Sequence, residues 1–297
     1  MIRQHYTSLK ISIILVNYNG ADVLTDCLTS IEKFIPRYNC EIIIVDNNSQ
    51  DNSIDIIENQ FPAVKLIKLS KNIGFGSGNN AGAKVAKGKF LFLLNTDAII
   101  TSNIFPHLIN LMEENPEIGV IGPKLLFPDG SFQISFSPTI SIKGEIEAKR
   151  LHNYAQSPTK LNRLEQDCKQ TKEVDIVVGA AFFIRADLFH SLGGFDEKFF
   201  MYFEESDLCQ RVKNAGYKVL YTPEVSLIHI RGHSVNRIAH KMVVEYRRSQ
   251  IYYYKKHRPM WERLILRVYL FTKFFYEFAI TLNPYCWQIV KLVLRYK

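Results

Sequence analysis

Cysteine is the first scarcity in this chain. The five cysteines, Cys27, Cys40, Cys168, Cys209 and Cys286, are odd in number, scattered and never spaced C-x-x-C. That excludes a disulfide framework and a zinc site of the usual spacing, and it fits a reducing compartment. Familiar phosphate loops are missing too. Gly74-Phe75-Gly76-Ser77-Gly78 reads G-x-G-x-G with Asn79 after it, so it fails the dinucleotide fingerprint, and no G-x-x-x-x-G-K-[ST] loop occurs. There is no repeat of fixed period and no low-complexity tract. The apolar run Ile11–Val16 is too short for the core of a secretion signal, so a cytoplasmic protein is expected.

What is present suits a folded enzyme. With 297 residues, 47% of them apolar and 22% charged, the chain can bury a sizeable core as one large α/β domain or two small ones. The net charge of +8 sits at one end: Arg231 to Lys297 holds 14 Lys and Arg against three Glu. Such a tail suits an anionic partner, either nucleic acid or a membrane surface.

Hydrophobic patterning predicts strands at Ile11–Val16, Glu41–Asp46, Val64–Leu69 and Phe90–Leu94, with helices at about Ala21–Phe34 and Asn80–Ala86. Strands alternating with helices predict a mainly parallel sheet covered on both faces. Ligands bind outside the carboxyl ends of such strands. Three of those ends are polar, Asn17-Tyr18-Asn19, Asp46-Asn47-Asn48-Ser49 and Asn95-Thr96-Asp97, which implies one polar cleft. Residues 135–173 lack strong periodicity and read as a surface excursion over it. Further strands are expected at Val174–Ile184, interrupted by a Gly179-Ala180-Ala181 step, and at Lys218–Tyr221.

The run Gly193-Gly194-Phe195-Asp196 through Phe203-Glu204-Glu205-Ser206-Asp207-Leu208 sets carboxylates among aromatics ahead of a helix. A partly desolvated carboxylate has a raised pKa and can take a proton from a hydroxyl, and adjacent carboxylates push one another's pKa values apart. A solvated acidic first turn is the plainer alternative. Asp207 and Arg211, at i and i+4, read as a structural ion pair.

From Trp261 to Ile280 the pattern is helical. Glu262, Arg263, Arg267, Lys273 and Glu277 fall on one arc together with Leu266, Leu270 and Phe274. The segment is too charged to span a bilayer; it suits an interfacial helix with its basic residues near headgroups, or a helix packed on the domain or a second subunit in a homodimer.

The ordered blocks Val16-Asn17-Tyr18-Asn19-Gly20, Val45-Asp46-Asn47-Asn48-Ser49, Asn72 to Asn80, Leu94-Asn95-Thr96-Asp97, Gly179-Ala180 and Gly194-Phe195-Asp196-Glu197 to Asp207 resemble family 2 glycosyltransferases of the GT-A fold. The likeness is greatest to their bacterial rhamnosyltransferase-like branch and spans about residues 10–257. It implies a Rossmann-like GT-A catalytic domain over residues 1–235 and a basic, aromatic helical extension over 236–297. It implies donor contacts from Val16, Asn17, Tyr18, Asp46, Asn72, Asn95 and Asp97, with Tyr18 offering a face to the base and Asp46 accepting a pyrimidine imide hydrogen. Asn72 and the Gly-rich turn after it would let backbone approach the donor. Gly179, Ala180 and Glu204 belong to the acceptor side, and Glu205 to the general base. Asn95-Thr96-Asp97 stands where the family carries D-x-D, with Asn for the first Asp. Asp97 would hold Mg²⁺ or Mn²⁺ with help from His229, for which His233 competes.

The resemblance thus implies inverting transfer from a dTDP or UDP sugar, rhamnose among the candidates, to a glycan or lipid-linked glycan in cell-surface polysaccharide synthesis. It places the enzyme peripherally on the inner face of the cell membrane, with an anionic surface rather than nucleic acid as partner. The rivals are a carboxylate-pair glycoside hydrolase and a non-enzymatic basic binder of membrane or nucleic acid.

Overall fold

The computed structural model describes residues 10–34, 40–230 and 239–295. The first half of the chain alternates β1 (Ile11–Asn17), α1 (Ala21–Phe34), β2 (Cys40–Asp46), α2 (Ser53–Gln60), β3 (Lys65–Lys68), α3 (Phe75–Ala83) and β4 (Phe90–Leu94). Then come β5 (Ala98–Ile100), α4 (Phe105–Glu114), β6 (Ile118–Leu126), β7 (Phe132–Gln133), β8 (Phe136–Ser137), α5 (Ile142–Ala155), α6 (Pro158–Asp167), β9 (Lys172–Glu173), β10 (Ile176–Val177) and β11 (Ala181–Arg185). The chain continues through α7 (Ala186–Ser191), α8 (Glu204–Asn214) and β12 (Lys218–His229) to three terminal helices, α9 (Ala239–His257), α10 (Met260–Thr281) and α11 (Pro284–Arg295).

The main sheet runs β3-β2-β1-β4-β11-β6-β12-β5. Its β3-β2-β1-β4 half is wholly parallel; β11 then runs antiparallel to both β4 and β6, while β12 is parallel to β6. Parallel strands are covered on both faces, so β4 reads as an unbroken apolar run and is buried throughout. Register sets the site. Asn17 lies opposite Asp46 and Leu15 opposite Leu94, so the polar residues that end β1, β2 and β4 emerge on one edge. The order also reverses beside β1, the topological switch point where open α/β sheets bind ligands.

Several sequence expectations change here. The strand expected over Val174–Ile184 is two, β10 and β11, parted by the Gly179 step. Lys218–Tyr221 is the start of a twelve-residue strand that bulges between Thr222 and Ser226. Residues 135–173 are not irregular: Ser141 caps α5 by accepting from the Gly144 N–H at 2.9 Å, and α6 follows on the surface. The Gly-rich turn is itself helix, since α3 begins at Phe75 rather than Asn80. Its glycines serve close packing: a Cβ at Gly78 would stand 2.8 Å from the Val16 side chain, and one at Gly82 would stand 2.5 Å from Ile14. Helix thus rests on sheet at a distance that larger residues forbid.

Two clusters fill the two faces of the sheet. A third joins α9, α10 and α11 to Phe199 and Phe203, so the carboxyl-terminal helices share a core with the acidic motif.

Candidate active site

At the β1 and β2 ends, Asn17 donates through Nδ2 to Asp46 Oδ1 at 2.9 Å and to Ser49 Oγ at 3.0 Å, while the Ser49 N–H donates to Asp46 Oδ2 at 2.9 Å. Both carboxylate oxygens of Asp46 are therefore in use, and the residue is 1% exposed. In this arrangement Asp46 braces the loop, and Tyr18 stands exposed at its rim. Asn47 spans from β2 to the next loop, accepting from the Ile73 N–H and donating to the Gly74 carbonyl. Asn72 accepts from the Gly74 N–H at 2.9 Å. Gly74 has φ of 92°, and a Cβ there would meet the Phe200 carbonyl, so only glycine fits. Val16 is occupied in packing against α3.

The β4 end meets the β12 end. Asp97 Oδ1 lies 3.3 Å from His229 Nε2, and Asn95 Nδ2 lies 3.5 Å from the same nitrogen. The pairing of β5 with β12 produces this meeting, with His229 opposite Ala98. The other imidazole nitrogen, Nδ1, is 2.7 Å from Gln133 Oε1, and Gln133 Nε2 donates to the His229 carbonyl at 3.1 Å. A carbonyl-type oxygen can only accept, so Nδ1 carries a hydrogen, and Nε2 is the ring nitrogen that faces Asp97 and Asn95. His233 lies outside the described residues.

The acidic motif is held by two clamps. Asn80 on α3 accepts from the Phe195 N–H and donates to the Phe195 carbonyl, both at 2.9 Å, fixing the Gly194-Phe195-Asp196 loop. Tyr202 and Phe203 both adopt left-handed backbone, φ 69° and 70°, immediately before α8. Such conformations cost about 1–3 kcal/mol each in bulky residues and concentrate at functional sites. This turn delivers Glu204 and Glu205 to the first turn of α8.

The two glutamates differ. Glu204 is 3% exposed, its Oε2 has no partner, and burial followed by the Glu205 charge pushes its pKa well above the ordinary range. Glu205 is half-buried; burial raises its pKa, while its own backbone N–H and that of Gly179 favour the ionised form. Of the pair, Glu205 is the readier to ionise. Its carboxyl lies against Gly179, and the next residue, Ala180, accepts a hydrogen bond from the Asn95 N–H at 3.0 Å. One backbone step therefore connects the Glu205 end of the site to the Asp97–His229 end. Asp207 is apart from both. Fully buried, it receives Arg211, Lys256 and His257 at 2.6–2.8 Å. Burial alone would raise its pKa; the His257 hydrogen bond, the Arg211 charge and Lys256 together hold it below the ordinary value.

The family model of glycosyl transferase family 2 matches residues 12–193. The chain belongs to glycosyl transferase family 2. This glycosyltransferase is 25% identical over 84% of its length, and 85% of the relative's, to the N-acetylglucosaminyl-diphospho-decaprenol L-rhamnosyltransferase of Mycobacterium tuberculosis. Among solved structures, mannosyltransferase PcManGT from Pyrobaculum calidifontis, in complex with GDP-Man and Mn²⁺, superposes with a TM-score of 0.58 at 16% identity, covering 97% of this chain and 74% of that one. S. aureus TarS 1-349 in complex with UDP-GlcNAc gives 0.56 at 19% identity, covering 82% and 66%. The fold expected from the sequence, GT-A with a helical carboxyl-terminal region, is the fold found, and the hydrolase and non-enzymatic readings find no support.

Of the residues singled out from sequence, the glycosyltransferase brings Asn95, Asp97, His229, Gly179, Ala180 and Glu205 into one connected group, with Asn17, Tyr18 and Asp46 at the neighbouring strand ends. Asn72 shapes the loop beside them. Gln133 was missed from sequence, and Asn80 and Asn47 stood inside the quoted blocks without a role of their own. Each acts through contacts 26 or more positions away, which no local pattern records.

Proposed function

We propose that this glycosyltransferase inverts configuration while moving a sugar, rhamnose being the leading choice, from a dTDP or UDP donor to a lipid-linked glycan. The setting is cell-surface polysaccharide synthesis at the anionic cytoplasmic face of the membrane. One observation carries the reading: Glu205 and the Asp97–His229 pair lie on the same strand-end edge, joined by the Gly179–Ala180 step. The Mycobacterium relative's name, a rhamnosyltransferase on a diphospho-decaprenol, supports the substrate class.

Glu205 removes the proton of the acceptor hydroxyl as that oxygen forms its bond to the anomeric carbon. The bond to the diphosphate breaks on the opposite face, and the nucleoside diphosphate leaves with the electron pair. Positioning of both substrates supplies much of the remaining rate. Glu204, its pKa raised by burial and by the Glu205 charge, lies beside the base on the acceptor side. Tyr18 stacks on the base, and Asn17, Asn72 and Val16 frame the nucleotide. Asp46 steadies the loop that carries Tyr18, with lone pairs to spare for the imide hydrogen.

Among the described residues there is no cluster of three or more metal-ligating side chains. A hard carboxylate, Asp97, beside the Nε2 of His229 nevertheless fits an ion whose other ligands would be phosphates and water, the usual mode for Mg²⁺ and Mn²⁺. Such an ion supplies charge neutralisation to the departing diphosphate. Asn95, lacking charge, orients toward His229 instead of adding a second carboxylate. Since Gln133 sets the tautomer, Gln133→Leu should weaken Mn²⁺ binding about 10–100-fold. Calorimetric titration of Mn²⁺ in the presence of UDP checks this; unchanged affinity would remove Gln133 from the role.

The donor class is tested by thermal shift with dTDP, UDP and GDP sugars, each with and without Mg²⁺ or Mn²⁺. Stabilisation by a dTDP or UDP sugar that grows with metal is expected. A response to GDP sugars alone, or to none, would sink the reading.

A further inference from the structure

Helix α10 is apolar outside as well as inside. Its buried row is Glu262, Leu266, Leu270 and Phe274, which is the arc that the sequence assigned to charge. Four of the five charged members of that arc, all but Lys273, turn to protein partners. Glu262 receives Arg258, Arg263 Nε donates to the Arg258 carbonyl at 2.7 Å, Arg267 donates to the Val293 carbonyl at 2.9 Å, and Glu277 accepts from the Tyr285 hydroxyl. Outward stand Trp261, Leu264, Val268, Tyr269, Tyr276 and Ile280, each more than half exposed. Lys273 is the one charged residue among the exposed positions of the helix.

An apolar strip of this length, about 33 Å for 22 residues, demands a cover. No helix among the described residues is long and apolar enough to cross a membrane, so a spanning role is excluded for α10. The surroundings identify the cover by charge. Lys255, Arg263 and Arg267, with Met260 and Leu264, line a cleft of about 150 Å³ between α9 and α10. Lys291 and Arg295 stand exposed on α11. A second copy docked through this face would bring two such basic regions together, each drawn from a stretch with 14 cations and three Glu. An anionic bilayer meets the same surface with opposite charge.

We propose that α10 lies in the interface of an anionic bilayer, its Trp261–Ile280 face among the upper acyl chains, with a lipid phosphate seated at the Lys255–Arg263–Arg267 cleft. Trp and Tyr along the strip suit the boundary between headgroups and hydrocarbon, and the long cationic side chains reach outward from it to phosphate. The inference rests on the membrane setting proposed above and assigns it a surface. It also orients the enzyme. Helix α9, packed between α10 and the acidic motif, bonds that motif through Ser249 Oγ to the Met201 carbonyl and Tyr252 to Asp196. The base is thus carried close to the face that meets lipid-linked acceptors.

Co-sedimentation of the full chain with vesicles of phosphatidylcholine, alone or mixed with phosphatidylglycerol, tests the assignment. The unaltered protein should bind the mixed vesicles. Leu264→Asp with Val268→Asp should lower binding at least about tenfold. Lys255→Gln and Lys273→Gln should each lower binding to anionic vesicles by about fivefold. These side chains are exposed, and an unchanged melting temperature confirms that the variants fold. Binding that none of the variants alters would overturn the proposal. So would a dimer in analytical ultracentrifugation that the double variant dissociates without changing vesicle binding. Vesicle binding without nucleotide-sugar binding would defeat the transfer reading and leave the docking face standing; nucleotide-sugar binding without vesicle binding would do the reverse.

Discussion

Glu205→Gln should reduce turnover by about 10²–10⁴-fold or more while leaving donor affinity within about twofold. Glutamine keeps the shape and can still accept from the Gly179 N–H, but it cannot take up the acceptor's proton. Transfer measured by nucleoside diphosphate release, beside calorimetry with the donor, separates the two effects. A variant with near-normal turnover would move the base elsewhere. The wild-type pH profile gives a second readout. The pKa of Glu205 is raised above its ordinary 4.5 by burial, and a base works only when ionised. Activity should therefore fall as pH drops through that raised value, with an acid limb above pH 4.5 that is absent from the residual activity of the variant. Glu204→Gln is the control: burial favours the neutral form of Glu204, which glutamine imitates, so the change should be far milder.

Asp207→Asn should be the most damaging substitution for stability, at about 3–5 kcal/mol. The carboxylate is fully buried and gathers Arg211, Lys256 and His257 from two helices. Removing its charge leaves Arg211 without its carboxylate and Lys256 with Asp196 alone. Urea unfolding at neutral pH checks this, and a loss below about 1 kcal/mol would show that the network contributes little. The linkage sign follows from the lowered pKa. A carboxylate whose folded pKa is depressed contributes stability that is present above its unfolded value of 3.8 and lost as pH falls through the folded value. Wild type should accordingly lose stability in acid below that point, and Asp207→Asn should flatten this part of the curve.

Much of the site was legible because its residues are punctuation. Polar residues that end apolar β-branched runs announce strand termini, and parallel pairing in register gathers those termini on one edge, as with Asn17 and Asp46. The Asp207–Arg211 pair was equally readable, because helical spacing makes i and i+4 neighbours. Less legible were contacts made across the fold. Gln133 orients His229 from 96 positions away, and Asn80 clamps Phe195 from 115 positions away. Their partners are chosen by strand order, which no local pattern records. The Gly-rich segment misled for a related reason: glycine suggests a turn by itself, whereas here close approach to Val16 and Ile14 makes it the right residue for a helix.

Helix α10 marks the boundary between the two kinds of knowledge. The alternation of strands and helices in the first half of the chain, the strand-end polar clusters, the acidic motif, the basic carboxyl terminus and the helical period of residues 261–280 were all determined by the sequence, because each depends on residues near one another in the chain. Which side of α10 faces inward was decided only by tertiary structure. A wheel distributes side chains around an axis, but an arc that mixes Leu266, Leu270 and Phe274 with Glu262 and Arg267 can face either way. Arg258 in the turn before α10, and Val293 and Tyr285 on α11, engage Glu262, Arg267 and Glu277 within the protein, and the apolar strip is left facing out.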